Sequence, residues 1–126
     1  WHRRGPPGRP ALSTRAMQYM LLIYDEEGEW ERHSGFRLSS DLQARGTLLA
    51  SEALQPVATA TTVRVRNGDT VVSDGPFAET EETLGAYCLI EADSLDEAIE
   101  WASRIPSARS GTVEIRPLIA NSEHRE

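Results

Sequence analysis

Residues 61–73 constrain the fold more than any other stretch. Thr61-Thr-Val-Arg-Val-Arg66 alternates apolar and polar side chains, Asn67-Gly68 follows, and Asp69-Thr-Val-Val-Ser73 resumes an extended pattern. A period of two suits a strand, and Asn-Gly accepts the positive φ angles of a two-residue type I′ turn. A β-hairpin is predicted here. It divides the chain into two halves, each of which reads strand–helix–strand.

In the first half, Gln18-Tyr-Met-Leu-Leu-Ile-Tyr24 is a short apolar run that reads as a central strand buried on both faces. Asp25-Glu-Glu-Gly28 stops it. Trp30, His33 and Phe36 keep helical spacing, with Leu38 and Leu42 on a neighbouring stripe, so a helix is predicted over 30–45, with Gly46 as its C-terminal stop. Thr47 to Leu54 reads as the next strand. In the second half, Leu84 to Glu91 is a strand, and Ser94 and Glu97 have the spacing of a capping box. Leu95, Ala98, Ile99, Ala102 and Ile105 mark an apolar helix face, and Pro106 ends that helix. Thr112 to Leu118 is the last strand. Pro117 cannot donate to a ladder, which places it at an edge or a strand end. Two such halves predict a ferredoxin-like α+β sandwich: an antiparallel sheet with two helices on one face and the hairpin inserted between the halves. The face without helices carries apolar side chains and needs a cover, so a homodimer is expected.

A chain of 126 residues suits one domain. The longest unbroken apolar run, Met20 to Tyr24, is far short of the roughly 20 residues that cross a bilayer. Residues 1–16 carry Arg3, Arg4, Arg9 and Arg15 with three prolines, no acid and no apolar core of a secretory signal, and read as a disordered extension. Residues 17–120 form the expected domain, and 121–126 a flexible tail. The whole chain has 13 basic and 20 acidic residues, net −7; without the four arginines of the extension it has 9 against 20, net −11. Such a surface repels phosphate backbones and argues against direct nucleic-acid binding. The single cysteine, Cys88, excludes an intrachain disulfide and fits a reducing, cytoplasmic setting.

Candidate chemistry centres on Ser73-Asp-Gly-Pro-Phe-Ala-Glu-Thr-Glu-Glu82. It has two readings. As a turn, the Asp74 carboxylate takes local amides, Gly75 adopts a φ other residues avoid, Pro76 fixes the next φ, Phe77 plugs the core, and Glu79, Glu81 and Glu82 are a solvated face. As the wall of a site, clustered carboxylates repel, and one of them holds its proton and works as acid or base. His33 is a candidate general base, or a half-buried helix residue beside Trp30 and Phe36; one histidine without a partner at ligand spacing argues against zinc. Ser51 and Glu52 point to opposite faces of their strand, and no nucleophile elbow surrounds Ser51. Cys88 reads as an inert core thiol. Glu114 and Arg116 share a face of the last strand, and Arg64 and Arg66 share a face of the hairpin. No phosphate-binding, flavin or nicotinamide fingerprint is present, so no cofactor is expected.

Asp74-Gly-Pro-Phe77 followed by Ala78-Glu-Thr80 and Glu82 resembles the signature of DGPF proteins, a branch of the YCII-related family. "MQYMLLIY" at 17–24, "GTLLASEALQP" at 46–56, "LGAYCLIEADSLDEAIEWASRIP" at 84–106 and "GTVEIRPL" at 111–118 resemble its strands and second helix, in order. The resemblance implies a bacterial protein whose ferredoxin-like fold dimerises through its sheets into an α/β barrel. It also implies a suggested His–Asp catalytic pair, for which His33 and Asp74 are the candidates here, and a regulatory association with alternative sigma factors. Glu81 stands where the family usually has lysine, which removes a cation from the loop. Two functions are expected from this. One is a cofactor-free small-molecule site in the cavity between sheet and helices, with isomerase- or lyase-like proton transfer at His33 and Asp74 and with Gly75, Pro76, Phe77, Glu79 and Glu82 around the ligand. The other is a non-enzymatic module that presents its acidic surface to a protein partner in transcription regulation. A structural dimer with no ligand is the third reading.

Overall fold

The computed structural model describes residues 17–32 and 47–119. The expected extension at 1–16, the predicted helix beyond Arg32 with His33, and the tail from 121 lie outside the described residues. In chain order the elements are β1 (Met17–Asp25), α1 (Glu27–Arg32), β2 (Leu48–Ala53), β3 (Thr61–Arg66), β4 (Asp69–Asp74), β5 (Thr83–Ala92), α2 (Leu95–Ser103), α3 (Ser107–Ser110) and β6 (Thr112–Pro117).

Four strands form one antiparallel sheet in the order β2-β5-β1-β6, and β3 and β4 form a separate two-stranded ribbon. That order, with the hairpin between the halves, is consistent with a ferredoxin-like α+β fold. β1 is central, as its apolar run predicts. Only one of its faces is buried, however. Tyr19, Leu21, Ile23 and Asp25 are buried, while Gln18, Met20, Leu22 and Tyr24 are half-buried. This corrects the expectation of a strand enclosed on both sides. A continuous apolar run says that both faces avoid water, not that one chain supplies both covers.

The buried face of β1 lines up with Ile90, Cys88 and Ala86 of β5 on one side and with Ile115 and Val113 of β6 on the other. Ala98, Trp101 and Ala102 of α2, with Ile105 beyond it, complete the core. Leu21 and Ile90 are fully excluded from water, and each such side chain contributes about 1.5–3 kcal/mol of burial. The stripe that α2 buries differs from the predicted one. Ala98, Ala102 and Ile105 are inside as expected, but Leu95 and Ile99 are about half exposed, and Trp101 is buried in their place. Arg104 stacks over the Trp101 ring at 4.5 Å.

The ends of the elements follow local chemistry. The Ser94 hydroxyl caps α2 by accepting from the Glu97 amide at 3.2 Å. The Glu97 carboxylate accepts from the Asp93 amide at 2.8 Å, one residue before the cap. α2 ends at Ser103, and Pro106 initiates α3 instead of directly terminating the longer helix. Asn67 (φ 54°) and Gly68 (φ 82°) make the predicted left-handed turn. Pro117 closes β6, an edge strand, where its missing amide leaves no ladder position empty on the solvent side. The Asp25-to-Gly28 stretch does more than stop β1: Asp25 is the last residue of the strand, and the Glu27 carboxylate accepts from the Val57 amide at 2.7 Å.

Candidate functional site

The Asp74-Gly-Pro-Phe turn forms the root of the hairpin. Gly75 has φ 97°, a region that L side chains avoid, although an added Cβ would meet nothing within 4 Å. Backbone conformation, not space, requires glycine here. The Gly75 amide donates to the Ala60 carbonyl at 2.7 Å, and the Thr62 hydroxyl donates to the Gly75 carbonyl at 2.7 Å. These bonds join the two ends of the ribbon. Among the described residues none donates to the Asp74 side chain, which is exposed; the turn is closed by backbone and by Thr62.

Phe77 does not plug the core. It is 79% exposed, two residues beyond the positive φ at Gly75. Glu79 and Glu81 are exposed as well, and Glu82 is half-buried. Glu82 accepts from the Thr112 hydroxyl at 2.9 Å, and the Thr80 hydroxyl donates to the Glu82 carbonyl at 2.5 Å. The loop is thus pinned to the start of β6 through one carboxylate, while Asp74 stays at the hairpin root. Those two acids serve different ends of the loop. Among the described residues, no three of His, Cys, Asp and Glu are arranged to hold a metal ion. His33 lies outside the described residues.

Thr112, Glu114 and Arg116 project from one side of β6, the side shared with Leu22 and Tyr24 of β1. The Tyr24 hydroxyl donates to Glu114 Oε1 at 3.3 Å, and an Arg116 guanidinium nitrogen lies 3.2 Å from Glu114 Oε2. Burial and then the neighbouring Glu114 carboxylate push the Tyr24 phenol above its ordinary value, with Arg116 acting in the other direction. Tyr24 therefore keeps its proton at neutral pH and remains a donor. Around this chain the same sheet face carries Met20 opposite Leu89, Leu22 opposite Tyr87, and Glu52 across from Tyr87, all partly or wholly accessible. The face is apolar in the middle with a hydrogen-bonded polar end. The shared face of Glu114 and Arg116 is legible from a period of two; Tyr24 is not, because the register of β1 against β6 brings it there.

On the opposite, buried face lies Asp25. It is fully buried, accepts from the Glu26 amide at 2.8 Å and receives the Ser110 hydroxyl at 2.6 Å. Buried Ser107 opens α3, the short helix that packs on β1 and β6. Gly111 lets this corner close: a Cβ there would collide with the Tyr24 carbonyl and lie 2.9 Å from the Asp25 Cα. A buried carboxylate persists only when it is hydrogen-bonded. From its neighbours alone Asp25 reads as a strand terminator; its place in an acidic run hides that it is the last inward-facing position of β1.

Ser51 and Glu52 do occupy opposite faces. The Ser51 hydroxyl lies 3.6 Å from Cys88 Sγ. Burial pushes the Cys88 thiol up, with the Ser51 contact pulling partly back, so the thiol is poorly nucleophilic, as expected for a core residue.

The model of the YCII-related domain matches residues 17–121. The chain is also 38% identical over 114 residues to the uncharacterized protein R00369 of Rhizobium meliloti (strain 1021), an alignment covering 81% of this chain and 92% of that protein. No helix among the described residues is long and apolar enough to cross a membrane. A matched stretch that runs from the first residue of β1 past the end of β6 takes in every described element: the chain belongs to the YCII-related family.

Proposed function

We propose that this protein, of the DGPF branch, works as a cytoplasmic, bacterial homodimer that closes its open sheet faces over each other into an α/β barrel and binds a compact organic molecule between them. The observation that carries this reading is the composition of that face. Met20, Leu22, Tyr87 and Leu89 give an apolar floor, and Tyr24, Glu114 and Arg116 give a directed polar end. Ligand sites commonly combine an apolar lining with a few placed polar groups. A protonated Tyr24 suits donation to a carbonyl or enolate oxygen, and a carboxylate or imidazole suits the opposite transfer, so proton-transfer chemistry of isomerase or lyase type needs no cofactor. His33 and Asp74 are the proposed catalytic pair, with Gly75, Pro76, Phe77, Glu79 and Glu82 at the rim.

Two measurements test the proposal. Sedimentation of the wild type at micromolar concentration is expected to give a dimer, and Leu22→Arg a folded monomer, since a stable interface requires about 800 Å² per partner. A thermal-shift screen of metabolites is expected to yield a stabilising compound, because a ligand at 100 times its Kd adds about 2.7 kcal/mol. The response should disappear in Tyr24→Phe and Asp74→Ala. A wild-type monomer, or a flat screen with an equally stable Asp74→Ala, overturns the reading.

A second reading rests on a different observation: Phe77 is 79% exposed, and Asp74, Glu79 and Glu81, within four residues of it in the chain, are exposed as well. An aromatic anchor rimmed by acids suits a basic protein partner, such as one in sigma-factor-linked transcription regulation. Retention of that partner by wild type and its loss in Phe77→Ala would favour this reading.

A further inference from the structure

Asn67 and Gly68 form the two-residue loop between Arg66 and Asp69, which are partners across the ribbon. Their φ angles of 54° and 82° suit a type I′ turn. Both residues are exposed. Among the described residues none accepts a hydrogen bond from the Gly68 amide, and none pairs with the Asn67 side chain. A carboxamide carbon and the next backbone nitrogen are thus both wet and both uncommitted. Glycine at 68 adds no side chain beside that nitrogen, and nothing else crowds it: an added Cβ would meet nothing within 4 Å.

The ribbon that carries this loop is the least supported part of the fold. Thr62 apart, every residue of β3 and β4 is exposed. An isolated two-stranded ribbon is marginally stable in water, so the hairpin opens locally more often than the four-stranded sheet. Opening matters to the chemistry. The closed turn holds Asn67 in left-handed torsions, whereas closing a five-membered ring onto the neighbouring nitrogen needs those torsions free.

We infer that Asn67 is a self-modifying site, at which the opened hairpin converts its asparagine to isoaspartate and aspartate through a succinimide. The Gly68 amide gives its proton to solvent, and its nitrogen attacks Asn67 Cγ. A C–N bond forms, the Cγ–Nδ2 bond breaks, and Nδ2 takes up a proton and leaves as ammonia. Water then opens either C–N bond of the imide. Opening at Cγ restores the original main chain and leaves aspartate. Opening at the main-chain carbonyl routes the chain through Cβ and Cγ and leaves isoaspartate. The sum is asparagine and water giving acid and ammonia, with no oxidation or reduction.

The product changes the ribbon in two ways. Residues 61–73 hold Arg64 and Arg66 against Asp69, so a carboxylate at position 67 cancels the remaining positive charge. Isoaspartate also adds a methylene to the main chain of a two-residue loop, and loop length fixes strand register. The pairing of Arg66 with Asp69 then fails, and the hairpin loosens from its tip toward Gly75. This conversion is independent of the small-molecule site proposed above.

Full-length wild-type protein, held in neutral buffer below its melting transition, tests the inference. Intact mass follows the exchange of amide for acid, and fragmentation separates aspartate from isoaspartate. Asn121, the other asparagine of the chain, precedes serine and serves as the internal control. The expected result is conversion at Asn67 ahead of Asn121, with isoaspartate among the products. Gly75→Ala strains the root and is expected to speed the loss of Asn67 by about tenfold, the shift that about 1.4 kcal/mol makes in an opening equilibrium. Hydrogen exchange of the isoaspartate form should quicken in β3 and β4 and not in β1 and β5, while Asn67→Asp, with its main chain unaltered, keeps the protection of the wild type. An Asn67 that stays intact or converts no faster than Asn121 overturns the inference. So does aspartate as the sole product, a Gly75→Ala rate equal to that of the wild type, or an isoaspartate form with unchanged exchange.

Discussion

The four-stranded sheet and the hairpin are both antiparallel and both rich in branched apolar residues, yet they stand in opposite relations to water. In the sheet, Leu21 and Ile90 have no exposure; in the hairpin, Val63, Val65 and Val72 keep more than half of theirs. The sheet has α2 and α3 on one side, whereas the ribbon is fastened at its root by Gly75, Ala60 and Thr62 and packs extensively on no described element. Strand pattern therefore reports which side chains prefer to leave water. Whether they do so depends on what is laid over them.

The largest expected effect that would break this contrast is on core volume. Leu21→Ala should destabilise the fold by about 2–5 kcal/mol, whereas Val63→Ala should stay within about 0.5 kcal/mol in the monomer. Urea unfolding reads both, and equal losses would mean that the ribbon is part of the core. Next are the two glycines. Gly111→Ala forces a Cβ against the Tyr24 carbonyl and should cost about 1–3 kcal/mol of global stability through overpacking. Gly75→Ala meets open space and suffers only from its φ, a strain of about 1–3 kcal/mol that a loosely attached arm confines to itself. Hydrogen exchange should then quicken in β3 and β4 and leave β1 and β5 unchanged.

Ser110→Ala removes one donor from buried Asp25 and should cost about 1–3 kcal/mol, with Ser110→Thr recovering part of it in the same unfolding assay. The smallest effect is a dependence on alkaline pH. Cys88, Tyr19 and Tyr24 all hold their protons more tightly when folded than their ordinary values of 9.0 and 10.0 imply. The unfolded chain then releases protons first, so this stabilisation is fully present below pH 9 and falls as pH rises through the folded values. Cys88→Ala should remove the earliest part of that decline, beginning near pH 9, and leave the part due to the tyrosines. A decline of equal onset in the variant would assign it elsewhere.

Much of the fold is legible in the residues. The Asn67-Gly68 turn, the strands around it, the cap at Ser94 and the placement of Pro117 all follow from chemistry within a few positions. The sites are less so. Glu114 and Arg116 share a face as their spacing requires, but the Tyr24 hydroxyl that joins them comes from a strand 90 residues away. Asp25 belongs to a buried corner that exists only because α3 and Gly111 fold back on β1. Phe77 looks like a core residue by type and stands in solvent.

The order of the strands, the helix that Ser94 caps, the hairpin with its turn, and the sign of the net charge are written in the residues, since each depends on local torsions, periodicity or a simple count, whereas the short helix at Ser107–Ser110 is not. Which face of β1 is covered, which side of α2 faces inward, and which polar groups meet across the sheet are settled by packing. Those outcomes turn on register and on the packing of distant segments, where several arrangements satisfy the same local pattern and burial chooses among them.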